Sequence, residues 1–408
     1  MVDPFNQSVE RLRRIEALLN LFNRRPEVKS WIRILYMGQT NISRRRTRDD
    51  DHKNKYIAIE PKIHNLVPGL RGLNLLVCGI MSFSSSLFSD ILQLPNLDKL
   101  QLVGLQFSQN TSDQMQDWNT IDHNRSPLRS LNVRLLKPPS AETTQALLHL
   151  LQRETLTELT SRPYRFRELE DWITLPPIIF AHIPDYVFTS LRKLNIVLVL
   201  GTSDVEVQHF TQFGARCPNL VSLTIRSLFE ETPRELDVFR RSSLAEHPFP
   251  TLQEFSGSLT LAPSLVQGRP VRRVIGDILR INERNRGVPS MPSNIVALKP
   301  SVPLRVLHLT TRCWNDDDIE AVAQQHPGLE ELVYEDLSGK ILDWSARAED
   351  GFRKLGNLKR FTLGNGEDLE VLTDAVKDDD YLIVKLRSAC PNIQWARFSW
   401  LGIWKLCP

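Results

Sequence analysis

ARCPNLVSLTI (Ala215–Ile225) and SACPNIQWARF (Ser388–Phe398) share one grammar. A short polar end runs into Cys-Pro-Asn, and an apolar residue follows, then two free positions, an apolar residue, one free position and another apolar residue. Proline cannot continue a helix, so Cys-Pro-Asn reads as a stop and a tight turn. After the turn, alternation puts the last two apolar residues on one side of a short strand. Upstream of the first segment, Asp204 can cap a helix carrying Val207, Phe210 and Phe213. Upstream of the second, Asp380 opens one carrying Leu382 and Leu386.

The same unit recurs. The pattern is clearest at Leu97-Leu100-Leu102, Leu128-Leu131-Val133, Leu191-Leu194-Ile196, Leu220-Leu223-Ile225, Leu304-Leu307-Leu309 and Leu358-Phe361-Leu363. It is weaker at Ile32-Leu35-Met37, Leu70-Leu73-Leu75, Leu156-Leu159, Leu252-Phe255, Leu329-Leu332-Tyr334 and Ile393-Ala396-Phe398. Starting points lie roughly 25 to 38 residues apart, except for a gap of about 52 after Leu252, where Val271-Val274 is a poor copy. Ser140 opens a helix with Leu147, Leu150 and Leu151, and Asn315 or Asp316 opens one with Ile319, Val322 and Ala323.

A helix followed by a strand that cannot form a hairpin must stack sideways on its neighbours. The expectation is therefore an α/β fold: an irregular leucine-rich-repeat solenoid, or horseshoe, with parallel strands on the concave side and helices on the convex side. Residues 1–30 read as an amphipathic helical cap, 31–398 as an array of about 12 divergent units, and 399–408 as an apolar terminal cap.

Composition narrows the function. Apolar residues are 41% and charged residues 24%, with a net charge of only +3. That balance argues against a dedicated nucleic-acid binder. No run is long and apolar enough for a membrane span, and the start lacks a signal-peptide core. The five cysteines (Cys78, Cys217, Cys313, Cys390, Cys407) are dispersed without a CxxC pair, which fits reduced thiols in a cytoplasmic or nuclear chain.

The two segments above, with LLNLFNRRPEVKSWIRILYM (Leu18–Met37), resemble the leucine-rich-repeat region of F-box proteins, particularly the divergent sets of basidiomycete fungi. The resemblance implies substrate recognition within a ubiquitin ligase, and a cullin-type ligase adaptor as partner where an F-box is present. The family's F-box opens with Leu-Pro near the N-terminus. Here the Leu-Pro pairs are Leu94-Pro95, inside a repeat, and Leu175-Pro176, whose context LPPIIFAHIPDYVF (Leu175–Phe188) would interrupt the array. No F-box is recognisable.

No phosphate loop, dinucleotide, zinc-protease or nucleophile-elbow motif occurs, so neither a catalytic centre nor a cofactor or metal is expected. Cys217 and Cys390 recur at one repeat position, which points to small buried hydrophobes at the turn. The triplets Asp316–Asp318 and Asp378–Asp380 sit at helix starts and lack calcium-loop spacing, so they read as caps. Arg44–Arg48, abutting Asp49–Asp51, reads either as a solvated loop or as an import signal.

A partner, expected to be a protein and held without membrane or nucleic acid, would meet the strand residues that alternate with the inward ones. These are Asn132 and Arg134, then Lys193 and Asn195, then Ser222, Thr224 and Arg226. They continue with Val306, His308 and Thr310, Glu331 and Glu335, Arg360 and Thr362, and finally Trp395 and Arg397. Mixed charge with a tryptophan suits a protein surface better than a phosphate backbone. Trp395 and Arg397 are the candidate hot spots. The long connections 110–126, 160–189 and 276–300 are further candidate contact loops.

Overall fold

The computed structural model describes residues 17, 20–22, 24–37, 66–79, 82–83, 85–104, 106–107, 127–135, 139–163, 179, 182–183, 185–198, 204–227, 248–277, 291–311, 316–336, 346–365, 379–398 and 402–405. Two compact units divide the chain at 183/184.

The first unit carries parallel strands β1 (Ile34–Met37), β2 (Leu75–Cys78), β4 (Lys99–Val103), β6 (Ser130–Leu135) and β7 (Glu158–Pro163) in that order. A separate parallel pair joins β3 (Ser82–Phe83) to β5 (Gln106–Phe107). Helices α1 (Ser85–Leu92) and α2 (Ala141–Leu151) connect strands. The Ser140 hydroxyl accepts from the Thr143 amide at 3.2 Å, the expected N-cap of α2.

The second unit carries β8 (Lys193–Leu198), β9 (Ser222–Ser227), β10 (Glu254–Ser258), β11 (Arg273–Asp277), β12 (Val306–Thr311), β13 (Glu331–Asp336), β14 (Arg360–Asn365) and β15 (Trp395–Phe398), each parallel to the next. Between them come α3 (Asp204–Ala215), α4 (Ala262–Val266), α5 (Met291–Ala297), α6 (Asp316–Gln325), α7 (Ala346–Lys354) and α8 (Asp379–Ala389), with α4 to α8 each packed on the next. A last strand, β16 (Gly402–Lys405), pairs antiparallel with β15. Both units are thus leucine-rich-repeat arrays of the α/β type.

Register turns the sequence repeat into a core. Leu194, Leu223, Phe255, Val274, Leu307, Leu332, Phe361 and Ala396 are Cα partners down the second unit, and all are buried. The helices lie on this buried side: Phe361 meets Phe352 of α7 edge-on at 5.1 Å, and the Tyr334 hydroxyl donates to the Asp318 carboxylate of α6 at 2.9 Å. Stacking each apolar row on its neighbour removes both sides of a unit from water, which a lone unit cannot do.

The turn before six of the strands is built alike. The amides of Leu97, Leu220, Leu252, Leu329, Leu358 and Ile393 donate to the carbonyl three residues earlier. At that earlier position stand Leu94, Cys217, Phe249, His326, Leu355 and Cys390, all buried. The cysteines therefore fill an apolar slot, as their recurrence implies, and burial pushes the Cys390 thiol up to about 12 and that of Cys217 upward too. The asparagine of Pro-Asn has its own task. Asn96, Asn219 and Asn392 donate through Nδ2 to the carbonyls of Arg71 (2.6 Å), Thr189 (2.8 Å) and Gly356 (2.6 Å) in the unit before. Thr155 and Thr251 do the same with a hydroxyl.

The weak copy Val271-Val274 fills the long gap as expected, leading into strand β11. Other expectations need correction. The connection 276–300 contains the end of β11 and all of α5. The stretch 160–189 includes the end of β7. The final residues of Leu175–Phe188 form an ordinary repeat turn, with Phe188 buried against Phe213 at 5.2 Å and accepting the Leu191 amide. Of the α6 aspartates expected as caps, Asp317 pairs with Arg347 of α7 at 2.7 Å, and Asp318 is buried and accepts from the Tyr334 hydroxyl at 2.9 Å. The Arg44–Arg48 run, the connection 110–126, most of the N-terminal segment and Trp400-Leu401 lie outside the described residues.

Candidate partner-binding face

Alternation sends every second strand residue to the side away from the helices. In the second unit this open side has three register rows. The first runs Lys193, Ser222, Glu254, Arg273, Val306, Glu331, Arg360, Trp395, and the second Asn195, Thr224, Ser256, Ile275, His308, Val333, Thr362, Arg397. The third, at the strands' far ends, pairs Val197 with Arg226, and separately runs Ser258, Asp277, Thr310, Glu335, Gly364. All the sequence-derived candidates from Lys193 onward fall on these rows. Asn132 and Arg134 occupy the corresponding rows of the first unit, beside Gln101 and Val103.

The structure draws five candidates into contact. Glu331 bridges: one carboxylate oxygen lies 3.0 Å from His308 Nε2 and the other 2.5 Å from Arg360 Nη2. Its side chain is only 18% exposed and that of His308 21%, which shelters their contact, whereas Arg360 is 59% exposed and its contact is screened by solvent. Thr310 donates to Glu335 at 3.1 Å. Trp395 is 42% exposed beside this cluster, on the strand next to Arg360. Of the other candidates, Thr224 and Asn195 are half-buried, and Arg226 and Arg397 are exposed. The side-chain Oδ1 of Asn195 is buried without a hydrogen-bond partner.

Sequence reading missed part of this face. Arg273 and Ile275 were hidden because their strand scored as a poor copy. A rim of residues just before the strands was not considered either: Arg272, Arg305, Glu330 and Lys359. Glu330 is shared by Arg305 at 3.6 Å and Lys359 at 2.9 Å, and the Lys359 hydrogen bond first, then nearby positive charge, holds its carboxyl below the usual range. The signal was present in VRRV and LRVL, where the residue after the first apolar position is arginine.

The first unit shows a different surface at its edge strand. Ile34 and Tyr36 of β1 are 54% and 65% exposed on the same side, near Trp31 at 65%. Among the described residues, no group of three His, Cys, Asp or Glu side chains converges in a way that could hold a metal ion. No helix of the described residues is long and apolar enough to cross a membrane.

No protein-family model and no curated protein sequence matches the chain. Among solved structures it is similar to a TLR13–ssRNA13 complex, with 16% identity and a TM-score of 0.38 over 73% of this chain. That match spans 40% of the other chain's length. It is also similar to the yeast Rad7 and Elc1 complex, with 15% identity and a TM-score of 0.43, over 96% of this chain and 89% of the other.

Proposed function

We propose that this chain is a non-enzymatic protein-recognition module whose partner lies on the open strand side, and that it serves as the substrate-recognition part of an F-box-type ubiquitin-ligase receptor. The observation that carries the recognition reading is the His308–Glu331–Arg360 cluster flanked by Trp395. Fixed opposite charges beside an exposed indole suit a peptide surface with its own mixed chemistry. A phosphate backbone would meet Glu331 and Glu335 as repulsion. The ligase role is supported by the likeness of Ala215–Ile225, Ser388–Phe398 and Leu18–Met37 to F-box repeat regions.

Affinity purification from the native cell, with mass spectrometry scored for the cullin scaffold and its F-box-binding adaptor, tests the ligase role. Recovery of both is the expected result. Their absence, with other partners reproducibly present, would leave a free-standing repeat scaffold with no part in ubiquitin transfer.

A further inference from the structure

Charge is unevenly spread across the open face, and the imbalance sits where the strands begin. Across β11 to β15, the rim and the first two rows present Arg272, Arg273, Arg305, Lys359, Arg360 and Arg397 against two carboxylates, Glu330 and Glu331. Those two are already committed. Glu330 serves Arg305 and Lys359, while Glu331 serves His308 and Arg360. Among the described residues, no carboxylate pairs with Arg272, Arg273 or Arg397. Arg272 and Arg397 are exposed. Arg273 is half-buried, with its Nε buried and meeting no acceptor. The rest of this half-buried guanidinium can take an anion in a charge-assisted hydrogen bond.

The uncommitted cations stand at two ends. Arg272 immediately precedes β11, Arg273 opens it, and Arg397 is on β15, four strand steps away. At ~4.8 Å per step the separation is roughly 19 Å, which an extended peptide covers in about six residues. Between the ends the floor is mixed: half-buried Val306 and Val333 lie beside the mutually paired His308, Glu331 and Arg360, with half-buried Ile275 on β11 and exposed Trp395 on β15 flanking them.

Building on the protein-recognition reading above, we infer that this half of the face binds an extended acidic peptide segment. Two acidic residues about six apart meet the arginines at either end. Apolar or aromatic side chains between them lie on Val306, Val333 and Trp395. Nucleic acid fits less well, because its unbroken phosphate charge would cross Glu330 and Glu331, and its backbone offers nothing to the valines.

The test is selection from a random display library of peptides about twelve residues long on the immobilised full chain, with a uridine oligonucleotide of similar length as competitor. The expected result is enrichment of peptides with two acidic positions around an apolar centre. Their affinity should fall about tenfold or more on the Arg272→Glu/Arg397→Glu chain, and remain unchanged on Lys354→Glu, a charge reversal on exposed α7. Both arginines are exposed, so the variant should keep the wild-type circular dichroism. Three results would each overturn the inference: neutral or basic enriched peptides, identical enrichment on the double variant, or displacement of every peptide by the oligonucleotide at lower concentration. Peptides that bind the face but respond to Glu335→Lys and not to the arginines would overturn it while leaving the protein-recognition reading intact. A chain that enriches no peptide at all sinks both.

Discussion

Arg269 is buried, yet it is an arginine in a slot where a hydrophobe would be unremarkable. Its Nε donates to the Pro248 carbonyl at 2.7 Å, and its Nη1 to those of Ser264 at 3.0 Å and Gln267 at 3.3 Å. Burial lowers its pKa to about 10, which still leaves it charged at neutral pH. Arg269→Met should cost on the order of 3 kcal/mol in denaturant unfolding, because buried carbonyls lose their donors. A loss below about 1 kcal/mol would show that water replaces the guanidinium. His326 occupies the turn slot filled elsewhere by Cys217 and Cys390, and burial lowers its pKa to about 4 from an ordinary 6.5. Below pH 6.5 the unfolded chain takes up a proton that the folded chain refuses. Stability should therefore fall as pH drops from about 6.5 to about 4, by about 3 kcal/mol in all. His326→Leu should flatten that limb of the stability profile; an unchanged profile would assign the acid sensitivity to other groups. Neither role could be read from sequence, where a lone histidine or arginine carries no mark of its burial.

Elements were legible wherever cap, apolar spacing and proline agreed, as at Ser140, Cys217-Pro218 and Cys390-Pro391. They were obscured where a unit departs from the leucine pattern. In β11 the third apolar position is Gly276, because Leu259 from the turn after β10 already fills the space. A Cβ added at Gly276 would come within 2.8 Å of the Leu259 side chain. That exchange of volume between two positions erases the signature in β11 while leaving its packing intact. Gly276→Leu alone should destabilise by overpacking and Leu259→Ala alone by leaving a cavity, each by about 1–3 kcal/mol. The double variant should recover much of the loss in thermal unfolding. Additive losses would mean that the two side chains do not share one space.

At the scale of the whole molecule, the repeat architecture and the strands that carry the candidate residues could be anticipated, because period and turn chemistry are local properties. Which candidates touch could not. Glu331 is 23 residues from His308 in sequence yet lies 3.0 Å away through strand register, and its other oxygen pairs with Arg360, while Arg397 meets no carboxylate among the described residues. The partner's identity is further removed still, since a fold built to bury leucines places no constraint on its open side. The account stands or falls on that side being the binding surface. The direct test is quantitative capture of proteins from the native cell by the intact chain and by its Trp395→Ala/Arg397→Ala form, matched for folded protein. Loss of the captured partners from the double variant, with retention by a Lys354→Glu control, is the predicted result. Equal capture by all three would place the partner elsewhere and contradict the assignment.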